Sequence, residues 1–281
     1  MIKFRGVTKK YGNKAALDSV SVELPESGIY CLLGRNGAGK TTFMKTLAGH
    51  ISYTSGEISV NGCIVTPANM PEGVNYIESG CVQFNTKVET LINTAAGLQS
   101  DFDRDFAFSM AERLQLNTKK KFGQLSFGMK TMLTTIISLS RNSKVVLLDE
   151  PTLGFDAVMR SQFNNLLIES YEANPRVIII STHLIDEIAK VIERLIIIDG
   201  GKILLEAGID EIDEKAYTLS GTADAIAPLI SGLNCIGKTA VGNLVAAHIY
   251  DEWITTPDGV VTDRLSLQDF FINMVGGNGN E

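Results

Sequence analysis

The run "GRNGAGKT", residues 34–41, constrains this chain more than any other feature. It matches G-x-x-x-x-G-K-[ST] and lies between an apolar stretch, "GIYCLL", and a helical one, "KTTFMKTLAGH". Strand, glycine-rich turn and helix in that order form a cradle for phosphate. Glycines let backbone N–H groups turn inward, and the helix N-terminus adds partial positive charge. The candidate binding loop is therefore Gly34, Asn36, Gly37, Ala38, Gly39, Lys40, Thr41 and Thr42. In it Lys40 would reach the β- and γ-phosphates, and the Thr41 hydroxyl would take one Mg²⁺ position.

The surrounding pattern fits such a loop. "KVVLLDE", "RVIIIST" and "RLIIID" read as near-continuous apolar strands, as in a parallel sheet covered on both faces. Between them, "DAVMRSQFNNLLIESYEAN" and "LIDEIAKVIER" have helical spacing, so an α/β fold with a mostly parallel sheet is predicted. The first sixty residues instead alternate apolar and polar side chains around Gly and Asn turns, which predicts an antiparallel β layer. A helical segment is expected over about 85–141. A main domain over 1–205 would then be followed by a small α+β extension over 206–281, whose role is left open.

A phosphate loop needs a second carboxylate at the end of a neighbouring buried strand, to hold Mg²⁺ through its shell. Asp149, closing "VVLLD", fits that position. Glu150 follows at once and would orient and polarise an attacking water. His183, in "STHL" after the next apolar strand, also falls at a strand's C-terminal end, where α/β folds hold ligands, and could donate to the γ-phosphate.

Composition narrows the partners. With 281 residues, 44% hydrophobic and 20% charged, the chain can bury a sizeable core. A net charge of -7 argues against a broad nucleic-acid surface. The four cysteines are far apart, with no metal-ligand spacing, and read as reduced and mostly buried thiols of a cytosolic protein. No run approaches the roughly 18 apolar residues of a membrane span, so the chain is expected to reach a membrane only through a partner.

"QLSFGMK", residues 124–130, opens an apolar-periodic helix; Ser126 stands at an N-cap position and Gly128 permits close backbone approach. Lying just upstream of "VVLLDEP", with the phosphate loop and "STH", it resembles the signature of ABC-transporter ATP-binding proteins. The resemblance covers about residues 1–205, and within it the leaning is toward small bacterial ATPases of peptide or antimicrobial export. It implies a P-loop NTPase fold of the ABC type. Tyr11 would stack on adenine, and Asp156 of "LGFD" would stand at a dimer interface. Two such domains, identical or related, would face head to tail around two ATP molecules. Ser126 and Gly128 of one would then meet the γ-phosphate held by the other. Integral membrane subunits on separate chains would receive the motion through the helical segment, at the inner face of the cell membrane.

The resemblance breaks in one place. Where the family has a "Y-x-P-Q"-like strand end, this chain reads "NYIES". Aligned on Tyr76, Ser79 replaces the glutamine that contacts metal or water; Gln83, four residues on, competes for the role. Two alternatives to a transport ATPase stay open: a soluble ABC-type switch, and a chain that binds nucleotide without turning it over.

Overall fold

The computed structural model describes residues 1–25, 27–78, 84–183, 185 and 188–276. The chain divides into two compact units: Met1–Ile192 with Ile198–Ile203, and Glu193–Ile197 with Leu204–Glu281.

The first unit opens with β1 (Ile2–Tyr11) and β2 (Lys14–Leu24), paired antiparallel. After β3 (Gly28–Leu33) and α1 (Lys40–Leu47), β4 (Ser55–Val60) and the short β5 (Cys63–Ile64) complete an antiparallel sheet of order β2-β1-β4-β5. Its inner side chains alternate along the strands with exposed ones, the period-2 pattern of a half-buried sheet. Phe4 of β1 stacks on Phe43 of α1, ring centroids 4.3 Å apart, and so packs this layer on the helix that follows the phosphate loop.

The second layer is parallel. β6 (Val74–Glu78) leads into α2 (Val88–Leu98), α3 (Arg104–Arg113) and α4 (Phe127–Leu139). β7 (Val145–Asp149), α5 (Ala157–Ala173) and β8 (Val177–Thr182) follow. β3, β8, β7 and β6 lie side by side in that order, all parallel. Every residue of β3, β7 and β8 is buried, which is why these segments carry unbroken apolar runs. The register sets Glu78 and Ser181 on either side of Asp149. Three polar side chains thus meet at one end of the sheet.

One expectation fails among the described residues. "LIDEIAKVIER" has helical spacing, yet residues 188–191 form turns rather than a continuous helix: Ile188 and Val191 donate backbone bonds three residues back, and Ala189 donates four back, to Ile185. Ile185, Ile188 and Val191 are all buried, and a three-residue repeat aligns them on one side better than a 3.6-residue period does.

β9 (Arg194–Asp199) and β10 (Lys202–Gly208) precede α6 (Ile209–Lys215). β9 and β10 are divided between the units, with Ile198–Ile203 in the first, and the second unit continues after α6 with β11 (Ala216–Thr222), α7 (Ala223–Ile230), β12 (Cys235–Val241), β13 (Leu244–Tyr250), β14 (Val261–Arg264) and α8 (Leu267–Gly276). Its sheet is antiparallel, in the order β12-β13-β11-β14. Tyr217 and Leu219 share one face with Ala247 and Ile249 and pack with Ile226 of α7. Tyr250 points the other way and meets the buried Phe270 of α8, centroids 5.0 Å apart. This unit has a core of its own.

Candidate active site

The loop between β3 and α1 takes its shape from close backbone contacts. A Cβ on Gly34 would stand 2.4 Å from the Ile198 carbonyl oxygen, and one on Gly39 2.5 Å from that of Ala16. Gly39 also has φ 116°, outside the range of L side chains, and serves as N-cap of α1. The Ala38 carbonyl accepts from Gly201 N–H at 2.9 Å, which ties the middle of the loop to a neighbouring turn. Ala38 itself is buried. Lys40 doubles back and donates from Nζ to the Gly34 carbonyl at 2.8 Å.

Tyr11, Asn36, Gly37, Gly39, Lys40, Thr41, Thr42 and Glu150 line one cleft of about 340 Å³. Tyr11, at the end of β1, is half exposed, with Lys9 Nζ 4.9 Å from its ring centre. An exposed aromatic face at one end of a phosphate cradle suits a flat base joined to a polyphosphate.

Beyond the loop the carboxylates are held from several sides. Asp149 is 4% exposed. Its Oδ1 accepts a short hydrogen bond from Ser181 Oγ, and its Oδ2 accepts from the Tyr76 hydroxyl at 3.2 Å. Glu150 has φ 49°, a left-handed backbone uncommon for a side chain of its kind. Its N–H donates to both the carbonyl and Oγ of Ser181, each at 3.1 Å. That turn swings the Glu150 side chain between Lys40 Nζ, 3.4 Å from Oε1, and His183 Nδ1, 3.1 Å from both carboxylate oxygens. Acid, cation and imidazole therefore stand together over the phosphate cradle. Beneath them, burial pushes the Cys31 thiol of β3 well up, with the Glu150 charge adding to the effect and Lys40 opposing it.

Ser126, Gly128 and Asp156 form a separate group, and none of them lines the cleft just described. Ser126 caps α4, its Oγ accepting from Met129 N–H at 3.2 Å. Asp156 caps α5 in the same way, accepting from Met159 N–H at 2.8 Å. A Cβ on Gly128 would stand 2.8 Å from the Gly154 carbonyl oxygen and one on Gly154 2.4 Å from the Phe127 ring. The start of α4 and the loop before α5 are in direct contact. Ser79 and Gln83 lie outside the described residues, so the competition between them stays where the sequence left it.

The sequence marks Glu78 as a polar candidate at its strand end and Tyr76 only as an alignment point; it gives no role to Ser181 and no sign of the Lys45–Glu78 pair, whose Nζ–Oε2 distance is 2.8 Å. The available signal was position alone: Tyr76 and Glu78 alternate on a strand that ends beside Asp149.

A phosphate cradle flanked by a buried aspartate and a partly exposed glutamate at the end of a parallel strand defines a P-loop ATPase cassette. The ABC transporter family profile matches residues 17–153. A lantibiotic transport ATP-binding protein of Streptococcus pyogenes is 31% identical over 215 residues, 75% of this chain and 92% of the relative. A bacitracin transport ATP-binding protein of Bacillus licheniformis is 32% identical, over 76% of this chain and 72% of the relative. Its Enterococcus faecalis counterpart is 24% identical across 99% of this chain and 97% of the relative. Among solved structures, the ATP-binding subunit of an ABC transporter superposes with TM-score 0.66 at 21% identity, over 75% of this chain and 91% of that one. The chain belongs to the ABC transporter ATP-binding proteins, as a nucleotide-binding subunit of the ABC ATPase family.

Proposed function

We propose that the chain is the ATP-hydrolysing subunit of an exporter of peptide-like antimicrobials, pairing two cassettes around two ATP molecules. It would act at the cytoplasmic face of the membrane on membrane-spanning subunits carried by separate chains. Among the described residues no helix is long and apolar enough to cross a membrane. The lean toward antimicrobial cargo rests on the names of the lantibiotic and bacitracin relatives.

One observation carries the hydrolytic reading: Glu150 is held between Lys40 and His183 at the rim of the phosphate cradle. In this reading the loop N–H groups and Lys40 bind the phosphates, Tyr11 covers the base, and Glu150 accepts a proton from the attacking water. His183 steadies the Glu150 carboxylate and offers its other ring nitrogen to the γ-phosphate. The donors for Mg²⁺ would be the hydroxyl of Thr41 and, through its water shell, Asp149. Both are hard oxygens, and Asp149 is already aimed by hydrogen bonds to both its oxygens, so the donor set fits this ion. When bound, Mg²⁺ supplies charge neutralisation at the β- and γ-phosphate oxygens.

The pairing of cassettes rests on the second group. Phe127, Leu153 and Val158 are all exposed apolar side chains at or near the contact between α4 and the loop before α5. In this arrangement Ser126 and Gly128 would meet the partner's γ-phosphate, and Asp156 would stand at the seam. The Ser126 hydroxyl accepts from within its own helix, so its O–H hydrogen is left to donate outward.

The test is turnover and assembly of the purified chain. Glu150→Gln lowers kcat by about 100-fold or more and accumulates an ATP-bound dimer in size-exclusion chromatography. Lys40→Ala loses nucleotide binding. A Glu150→Gln protein that hydrolyses ATP at the normal rate and stays monomeric would sink this reading.

A further inference from the structure

We infer that Tyr76 is a positioning residue for the metal-side carboxylate, holding Asp149 at the angle from which it serves the cation. The inference rests on the proposed role of Asp149 toward Mg²⁺ and assigns a new residue to that site. Three observations converge on the Tyr76 hydroxyl.

First, Asp149 is almost wholly buried, so its two oxygens need donors from the protein. Ser181 supplies one at Oδ1 from β8, and Tyr76 supplies one at Oδ2 from β6, at 3.2 Å. The carboxylate is gripped from the strands on both sides of its own, and rotation about its Cβ–Cγ bond is opposed at both ends.

Second, the phenol is itself fixed. Its ring meets His50 edge-on, centroids 5.3 Å apart and planes at 86°. Two residues on, Glu78 is tied to Lys45 of α1 at 2.8 Å. Lys45 lies one helical turn beyond Thr41, the other proposed donor, and so on the same side of α1. The strand carrying Tyr76 is therefore referenced to the helix carrying Thr41, and the two donor groups share one frame.

Third, the tyrosine does what packing alone does not require. A phenylalanine would fill the same space and keep the edge-on contact with His50. Only the hydroxyl reaches Asp149, and a hydrogen bond to a carboxylate is of the stronger, charge-assisted kind. Groups that orient a metal-side ligand in this way typically contribute about 10-fold or more to metal affinity.

Tyr76→Phe in the full chain tests this. Affinity for a fluorescent ATP analogue is measured with EDTA and across a Mg²⁺ titration, and Mn²⁺ binding is followed by electron paramagnetic resonance. The expected result is unchanged affinity in EDTA, with the Mg²⁺ midpoint and the Mn²⁺ Kd both raised about 10-fold. Wild-type Mg²⁺ and Mn²⁺ responses in Tyr76→Phe would overturn the inference, even if its melting temperature fell, because a purely structural hydroxyl moves stability alone. Ser181→Ala should raise the same midpoint, and a response confined to Ser181 would also overturn it. If the unaltered chain bound no nucleotide, the functional reading itself would fall; if it bound ATP with no response to Mg²⁺, only the metal assignment would fall, and this inference with it.

Discussion

At the scale of single residues, the site is built by burial set against charge. Glu150 occupies a backbone region costing roughly 1–3 kcal/mol, and its N–H, donating to the carbonyl and Oγ of Ser181, keeps it there. Cys31 shows what the same surroundings do to a neutral group. Fully buried below Lys40 and Glu150, its thiol is shifted far toward the protonated form. The thiolate is the nucleophile, so Cys31 stays inert at pH 8; Cys63 is exposed and Cys235 half-buried, against the expectation of mostly buried thiols, so Cys63 is open to reagent. Iodoacetamide labelling followed by peptide mass spectrometry should find Cys63 modified on the order of 100-fold faster. The Cys31 rate should rise only when β3 opens. Rapid labelling of Cys31 in the native chain would mean that the floor of the cradle is not sealed.

Among elements, the contact between α4 and the loop before α5 has a measurable weight. Gly154 has φ 83°, and any side chain there would run into the Phe127 ring. Gly154→Ala should cost about 2–3 kcal/mol, part backbone strain and part overpacking. In a Phe127→Ala background the ring is gone and only the strain is left. A double-mutant cycle by urea unfolding should therefore show a coupling of at least about 1 kcal/mol; strict additivity would mean that the ring swings aside freely. The same distinction between local and distant effects explains what the sequence could tell. The phosphate loop, the strand-end pair Asp149–Glu150 and the capping residue Ser126 are written in a few consecutive residues each. They follow from turn chemistry and apolar runs. Tyr76 does not: it meets Asp149 across 73 residues, through a parallel register that no local pattern encodes. The turns at 188–191 were misread because buried residues three apart also suit a helix. The strand order β12-β13-β11-β14 likewise depends on pairings distant in sequence.

For the whole molecule, each unit has its own core, so nucleotide binding should stabilise only the one that holds the cradle. The chain supplies its own reporter for this test. It has one tryptophan, Trp253, which stacks on Tyr217 at 4.9 Å and donates from Nε1 to the Glu214 carbonyl. All three residues belong to the second unit, so tryptophan emission follows that unit alone. Far-UV circular dichroism follows both. A ligand at about 100 times its Kd adds about 2.7 kcal/mol to the state that binds it. For a unit of some 200 residues that is a rise in melting temperature of about 5–10 °C. With Mg²⁺ and ATP, the dichroism transition of the first unit should move up by that amount while the Trp253 transition stays in place. In Lys40→Ala neither should move. If the tryptophan transition rose together with the dichroism, the two units would unfold as one cooperative body, and binding at the phosphate loop would be felt as far as β11 and α7.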